Sequence, residues 1–420
     1  MKTIVFAPAV FNLAETTRML EVAKQLQYTY HCQFIGFSRT FAYLIKAAGF
    51  SYDLLRPTLT VEQEKQIMAL DQGKSLKNPF TQQMVAQRVK SELACLAAYQ
   101  PELVITGSNV TIFLSARIKQ IPLIYIKPYA GSSAFWSDPN VPLPLFMRYF
   151  GPLKTSLWAL IRHLIVNSTW KPAAFKKTAA VYGLQLPHRS LALMDGDLNL
   201  ITTPALFISS KELPAQDHIV GPIFAEIDGS LPKEVTKFIA RQKKRGKKIM
   251  YLAMGSSGDP QLLQKIIHYF ADKKEIAIIA PIKKLMRQTT EPPSNLLICD
   301  YLPTNLLKDL IDFSLIHGGE GTIQTACASG KPFIAIGMQY EQRCHIVACV
   351  KYGHAVELTK PVTNKKLDRA LQAMDADTYS RAAELQQSFE VNGAANAAAM
   401  IQDVITSTEW AQATDSFRKK

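Results

Sequence analysis

Short apolar runs alternate with amphipathic stretches along most of this chain. Residues 3–8 read as a buried strand, and residues 14–27 then place Leu20, Val22, Ala23 and Leu26 at helical spacing. Residues 32–37 predict a second strand, residues 41–49 a helix stopped by Gly49, and residues 52–55 a third short strand. Polar helical material follows over 61–99, broken between Gly73 and Pro79. Strands at 103–106 and 122–126 flank a helix near 110–119. Alternation of this kind builds βαβ units, and those build a parallel sheet covered by helices.

The rhythm breaks over 128–195, a stretch rich in proline and aromatics such as Tyr129, Phe135, Trp136 and Trp158. Within it Leu153, Leu157, Leu160, Ile161 and Leu164 make an apolar helical face, with Lys154, Arg162 and His163 off it or at its edge. That face fits a helix packed on the domain core. It also fits a pocket wall or a surface lying on a membrane. Residues 199–203 look like the last strand of the first half, and Val220-Gly221-Pro222 begins a crossing to the second. A basic helix and turn at 232–248 lead into strands at 248–254, 276–279, 296–299, 313–316 and 333–336, with a helix at 260–272. Residues 376–408 are helical and Ala-rich, and a polar, basic tail ends the sequence.

Length and composition narrow the class. A chain of 420 residues has room for two domains, each with its own core. Its 48% hydrophobic and 20% charged residues describe a globular protein. The six cysteines show no CxxC pair and no zinc spacing, which reads as reduced thiols in a cytoplasmic protein. No apolar run reaches the roughly 18 residues of a membrane span. The start of the chain imitates a short signal peptide, but an amphipathic helix follows at once, so a first strand fits better. The net charge of +14 comes with no aromatic-interleaved nucleic-acid motif, so no nucleic-acid partner is expected.

Candidate chemistry concentrates at His317-Gly318-Gly319-Glu320-Gly321-Thr322, between the apolar run 313–316 and a helix stopped by Gly330 and Pro332. Three glycines in a strand-to-helix turn let backbone N–H groups approach an anion. The helix N-terminus adds unpaired donors and partial positive charge, which suits a phosphate or pyrophosphate. The turn is not a Walker loop, since Pro332 follows Gly330-Lys331, and its glycine spacing is not the dinucleotide fingerprint.

Residues 317–353 resemble the donor-binding signature of family 1 glycosyltransferases, GT-B enzymes that use nucleotide sugars. The matching parts are the His-Gly-Gly-x-Gly-Thr turn, Ala326 with Gly330-x-Pro332, Glu341-Gln342 and Gly353. Thr325 stands where the family usually has a ribose-binding Glu, His345 where it has Asn, Glu341 where Asp is commoner, and Thr304 where Gln often follows the proline. The resemblance implies two Rossmann-like doubly wound α/β domains facing a central cleft, with C-terminal helices packing back toward the N-terminal domain. It places an acceptor-binding domain at 1–222, a donor-binding domain at 233–395, and a C-terminal helix and basic tail at 396–420. It implies that Gly255, Ser256 and Ser257 line the phosphate or nucleoside, that Tyr301 and Leu302 flank the base, that residues 317–322 grip the pyrophosphate, and that Glu341 and Gln342 hold the hexose.

The implied reaction moves a hexose-type sugar from a nucleotide diphosphate, with a UDP-sugar first in line, to a hydroxyl of a small or lipid-like acceptor. Inversion and independence of metal are expected, and no cofactor beyond the donor. Family members often keep a His in the loop after the first strand, and alignment on Met19-Leu20-Glu21-Val22-Ala23 puts Glu15 at that position. A carboxylate with apolar neighbours can serve as general base, although Glu15 could also merely start the helix. His317 would stabilise the leaving diphosphate. Phe11, Asn12, Phe135 and Trp136 are the candidate acceptor contacts. Asp195-Gly196-Asp197 imitates a metal-binding Asp-x-Asp but sits in a turn before a strand. Two rivals remain: a nucleotide-sugar epimerase on the same fold, and a catalytically silent GT-B partner protein. Peripheral contact with a membrane surface is a further expectation.

Overall fold

A computed structural model describes residues 1–71, 75, 78–210, 212–225, 230–255, 259–283, 292–300, 302 and 304–407. The chain divides into two compact units, one of Met1–Ala225 with Asn392–Lys420 and one of Glu226–Val391.

Unit 1 is built on strands β1 (Thr3–Phe6), β2 (His31–Gly36), β3 (Ser51–Leu54), β4 (Leu103–Thr106), β5 (Leu123–Lys127), β6 (Leu198–Ile201) and β7 (Asp217–Ile219). They form one sheet in the order β3-β2-β1-β4-β5-β6-β7, and every pairing is parallel. Successive strand residues face opposite ways. Ile4 and Phe6 of β1 and Leu103 and Ile105 of β4 join a core with the helices Leu13–Leu26 and Gly393–Thr406. Val5 and Val104 join the core on the other face, under the helices Gln82–Tyr99 and Val110–Ile118. With both faces covered, the strands read as continuous apolar runs. The C-terminal helix is tied down at its start, where Gly393 N donates to Pro222 O at 3.1 Å. A Cβ there would lie 2.4 Å from Pro222 O, so only glycine fits.

Unit 2 repeats the plan with β8 (Lys248–Ala253), β9 (Ile276–Ala280), β10 (Leu296–Ile298), β11 (Phe313–Ile316), β12 (Phe333–Ala335) and β13 (Ala355–Glu357). Their order is β10-β9-β8-β11-β12-β13, again all parallel. Each sheet therefore reverses its winding at one place, between β1 and β4 in unit 1 and between β8 and β11 in unit 2. Loops leaving the carboxyl ends of such a strand pair diverge and open a crevice.

The structure corrects the sequence reading in three places. Strand β6 is not the last of its sheet, because the edge strand β7 follows it. Its three residues, Asp217-His218-Ile219, bury only the first, so no apolar pattern announces them. Strand β13 and the helix Asn364–Gln372 were likewise unexpected. The expectation that the Leu153–Leu164 face packs on the core fails. Trp158 is the buried residue of the helix Lys154–Val166, while Leu160 and Leu164 are exposed.

Candidate active site

In unit 2 the turn after β11 meets the turn after β8. His317 N donates to Ala253 O at 3.1 Å, and His317 Nδ1 lies 3.3 Å from the same oxygen. A carbonyl oxygen only accepts, so Nδ1 carries the proton and the neutral ring keeps its lone pair on Nε2. Burial holds the imidazole below its ordinary range, partly offset by the bond to Ala253. Two glycines make room for the ring. A Cβ on Gly255, whose φ is +58°, or on Gly319 would stand 2.6 Å from His317 Nε2. The fit explains two glycines on two separate loops, one after each strand.

Gly319 is the N-cap of the helix Glu320–Ala328 and, having no side chain, offers no cap hydrogen bond. The first N–H groups of that helix are left for an anion. Thr322 Oγ1 donates to Gly319 O at 3.0 Å, and Thr325 Oγ1 donates to Gly321 O at 2.8 Å. The helix Tyr340–Tyr352 backs the turn: a Cβ on Gly318 would meet Ile346 Cδ1 at 2.6 Å. On that helix Glu341 is exposed. Gln342 is buried, with its Oε1 accepting from Met338 N at 3.0 Å. Neither ring nitrogen of the buried His345 has a hydrogen-bond partner among the described residues. A buried polar group without a hydrogen-bond partner calls for an explanation, and a ligand or an ordered water is one.

In unit 1 the loops after β1 and β4 are joined through Glu15. Its Oε1 accepts from Ala9 N and Ser108 N, each at 2.9 Å, and its Oε2 accepts from the Ser108 hydroxyl. Asn12 caps the same helix, its Oδ1 accepting from Glu15 N at 3.3 Å. Glu15 itself is buried, whereas Ser108 is exposed. Beside them lies a recess whose lining includes Phe11, Phe37, Phe80, Arg88, Ser108 and Asn109. The Arg88 guanidinium sits 4.1 Å from the centre of the Phe37 ring, and Nη2 donates to Asn109 Oδ1 at 2.8 Å. Asn109 and Thr111 both donate to Glu92 Oε1. Burial lowers the Arg88 guanidinium to about 10 and raises the Glu92 carboxyl. Arg88 Nε has no partner among the described residues.

No family model matches the chain. A PGL/p-HBAD biosynthesis glycosyltransferase of Mycobacterium tuberculosis is 26% identical over 366 residues, 84% of this chain and 80% of that protein. A PGL/p-HBAD biosynthesis rhamnosyltransferase of Mycobacterium bovis is 24% identical over 392 residues, 91% of this chain and 83% of its own length. Among solved structures, the spinosyn forosaminyltransferase SpnP superposes with a TM-score of 0.70 at 13% identity, over 97% of this chain and all of that one. The spinosyn rhamnosyltransferase SpnG complexed with thymidine diphosphate superposes at 0.64 and 14%, over 95% and 100%. The chain has the GT-B fold and resembles family 1 glycosyltransferases. Glycosyl transfer is its activity class. Another relative, an inactive PGL/p-HBAD biosynthesis glycosyltransferase of Mycobacterium bovis, is 25% identical over 276 residues, 63% of this chain and 70% of its own length.

For this glycosyltransferase the structure brings Gly255, His317, Gly318, Gly319 and Thr322 together at one switch point. Ser256, Ser257 and Tyr301 lie outside the described residues. Leu302 is buried. Of the four acceptor candidates, Phe11 lines the recess. Asn12 is a helix cap. Phe135 is buried against Tyr129 and Trp136 at ring distances of 5.7 and 5.5 Å, a packing role the sequence did not reveal. The carboxylates of the Asp-x-Asp imitation are taken up by ion pairs: Asp195 with Lys127 and Asp197 with Arg117, each at 2.8 Å. The sequence reading missed Arg88 and Ser108. An Arg inside a polar helix and a Ser after a strand carry no local signal, and only the fold places them at the recess.

Among the described residues, one other cluster offers metal-ligand atoms. Cys327, Cys349 and His354 are buried with those atoms within 4.8 Å of one another. Burial and the neighbouring Cys349 push the Cys327 thiol up, and burial pulls His354 down to about 4. A thiol held protonated in this way packs as a small apolar group.

Proposed function

We propose that the chain transfers a hexose-type sugar, 6-deoxyhexoses included, from a nucleotide diphosphate to a hydroxyl of a small or lipid-like acceptor, with inversion and without a metal. A UDP-sugar is the first donor to test and a thymidine diphosphate sugar the second, the latter because SpnG binds that nucleotide. The observation that carries the reading is the wedge of His317 between Gly255 and Gly319 at an uncapped helix N-terminus. It presents backbone N–H groups and one imidazole to the same small volume, the construction a diphosphate needs. His345, buried on the adjoining helix with no hydrogen-bond partner among the described residues, is the candidate for a further phosphate or sugar contact.

Neutral His317 has no proton on Nε2, so it can donate to a phosphate only as the imidazolium. Donor binding would therefore take up a proton, and affinity would strengthen as pH falls toward and below the ordinary imidazole range of about 6.5. The imidazolium would then offset charge developing on the leaving diphosphate. In unit 1, Glu15 would accept the acceptor's proton, directly or through the exposed Ser108 hydroxyl. The aromatic recess with Arg88 would receive the part of the acceptor next to its reacting hydroxyl.

The test is a thermal-shift panel of UDP, thymidine diphosphate and their sugars on the purified chain, followed by product analysis with a phenolic acceptor. A shift with one diphosphate and a β-linked product from an α-linked donor support the reading. Sugar alteration without an acceptor would make it an epimerase. Binding without hydrolysis or transfer would make it a silent partner of another enzyme.

A further inference from the structure

The 3₁₀ segment Leu145–Leu153 runs directly into the helix Lys154–Val166, and the two pack on each other. Together they expose apolar side chains that a soluble surface would bury. Tyr149 is 76% exposed, Leu153 69%, Leu164 60%, and Phe146, Phe150 and Leu160 are also exposed. Leu153, Leu157, Leu160 and Leu164 follow one another at spacings of four, three and four residues, one stripe of the helix. Trp158 lies off that stripe and is buried, and Arg162 donates to Asp138 O. The helix thus grips unit 1 by one side and leaves Leu153, Leu160 and Leu164 exposed, with Leu157 half-buried between them.

Charge identifies the partner. From residue 139 to residue 194 the chain has no Asp or Glu, while it carries Arg148, Lys154, Arg162, Lys171, Lys176, Lys177 and Arg189. Arg148, Lys154, Lys176, Lys177 and Arg189 are exposed. Arg148 and Lys154 belong to the same segments as the leucines and aromatics. Aromatic and leucine side chains among cations, in a stretch of sequence without an acid, match the boundary between acyl chains and anionic headgroups. A protein partner recognised by leucines alone would not require the absence of acids. No helix among the described residues is long and apolar enough to cross a membrane, so the contact is peripheral.

We propose that residues 145–164 form a docking surface for an anionic lipid bilayer. It deepens the proposed function, since a surface-bound transferase can reach a lipid-like acceptor, and it rests on that reading only for its purpose.

The experiment is flotation of the purified full chain with phosphatidylcholine vesicles, with and without phosphatidylglycerol, and no donor present. The chain should float with the anionic vesicles and be released by salt. Leu160→Ser with Leu164→Ser should weaken binding about tenfold or more, and Arg148→Glu with Lys154→Glu should do the same. Both variants should keep the wild-type melting temperature and nucleotide-induced shift. Wild-type protein that stays unbound overturns the proposal, as does equal flotation with neutral vesicles or flotation unchanged by the leucine variant. So does light scattering that finds a dimer dissolved by the same leucine substitutions, which would assign the face to a second copy. A failed nucleotide shift with intact flotation would instead count against sugar transfer and leave the docking surface standing.

Discussion

The two units place their chemistry at the same topological point by opposite means. In unit 1 the loops after β1 and β4 are stitched by a side chain: Glu15 collects Ala9 N, Ser108 N and the Ser108 hydroxyl. In unit 2 the loops after β8 and β11 meet because side chains are missing, Gly255 and Gly319 leaving the space that His317 fills. A site made of backbone and glycine suits a ligand recognised by charge and shape, such as the diphosphate proposed here. A site made of side chains can vary with its acceptor, and in this chain it holds an Arg-Asn-Glu network under aromatic rings.

Substitutions at the two points separate these designs. Glu15→Gln keeps an acceptor oxygen for the stitched loops but removes the proposed base. Transfer should fall by about 10²–10⁴-fold while the nucleotide-induced thermal shift persists. Ser108→Ala should cost about tenfold, the loss of one hydrogen bond. A loss in Ser108→Ala as deep as in Glu15→Gln would make the serine a proton relay, and full activity in Glu15→Gln would move the base elsewhere. His317→Ala should lower turnover by about 10²–10³-fold and abolish the strengthening of donor affinity at lower pH. Calorimetry in buffers of different ionisation enthalpy reads that linkage, and proton uptake that survives the substitution would remove His317 from the diphosphate.

Smaller effects sharpen the picture of unit 2. Burial holds His354 at about 4, against 6.5 for a solvated ring. Between those values the unfolded chain binds a proton that the folded chain does not. Stability should therefore fall as pH drops from 6.5 toward 4, by up to about 3 kcal/mol, and be insensitive to this ring above 6.5. His354→Leu, among Phe333 and Tyr352, should flatten that slope in a series of melts, and an unchanged slope would place the acid sensitivity elsewhere. Gly319→Ala pushes a methyl against the His317 ring and should cost about 1–3 kcal/mol, with the nucleotide-induced shift lost. A variant that melts and binds as the parent does would show that the ring has room to move.

How much of this was legible follows from where each signal sits. The turn at 317–322 was legible because its elements are adjacent in the chain: apolar strand, glycines, helix, stop. Glu15 was singled out by position, but its partners were not, since Ser108 is 93 residues away and no local pattern links them. Arg88 was invisible inside a polar helix. The Leu153–Leu164 stripe was visible as a stripe, yet its periodicity is the same whether the leucines face a core or face outward.

Local order in the sequence determined the elements, their alternation and the glycine-rich strand-to-helix turn, because hydrophobic periodicity and glycine act over a few residues. Tertiary structure decided which loops share a switch point, that His317 lies against Gly255, that Glu15 is bound to Ser108, and that a leucine face stays uncovered. Those are contacts between residues far apart in the chain, and they exist only once parallel strands have set the distances between their loops.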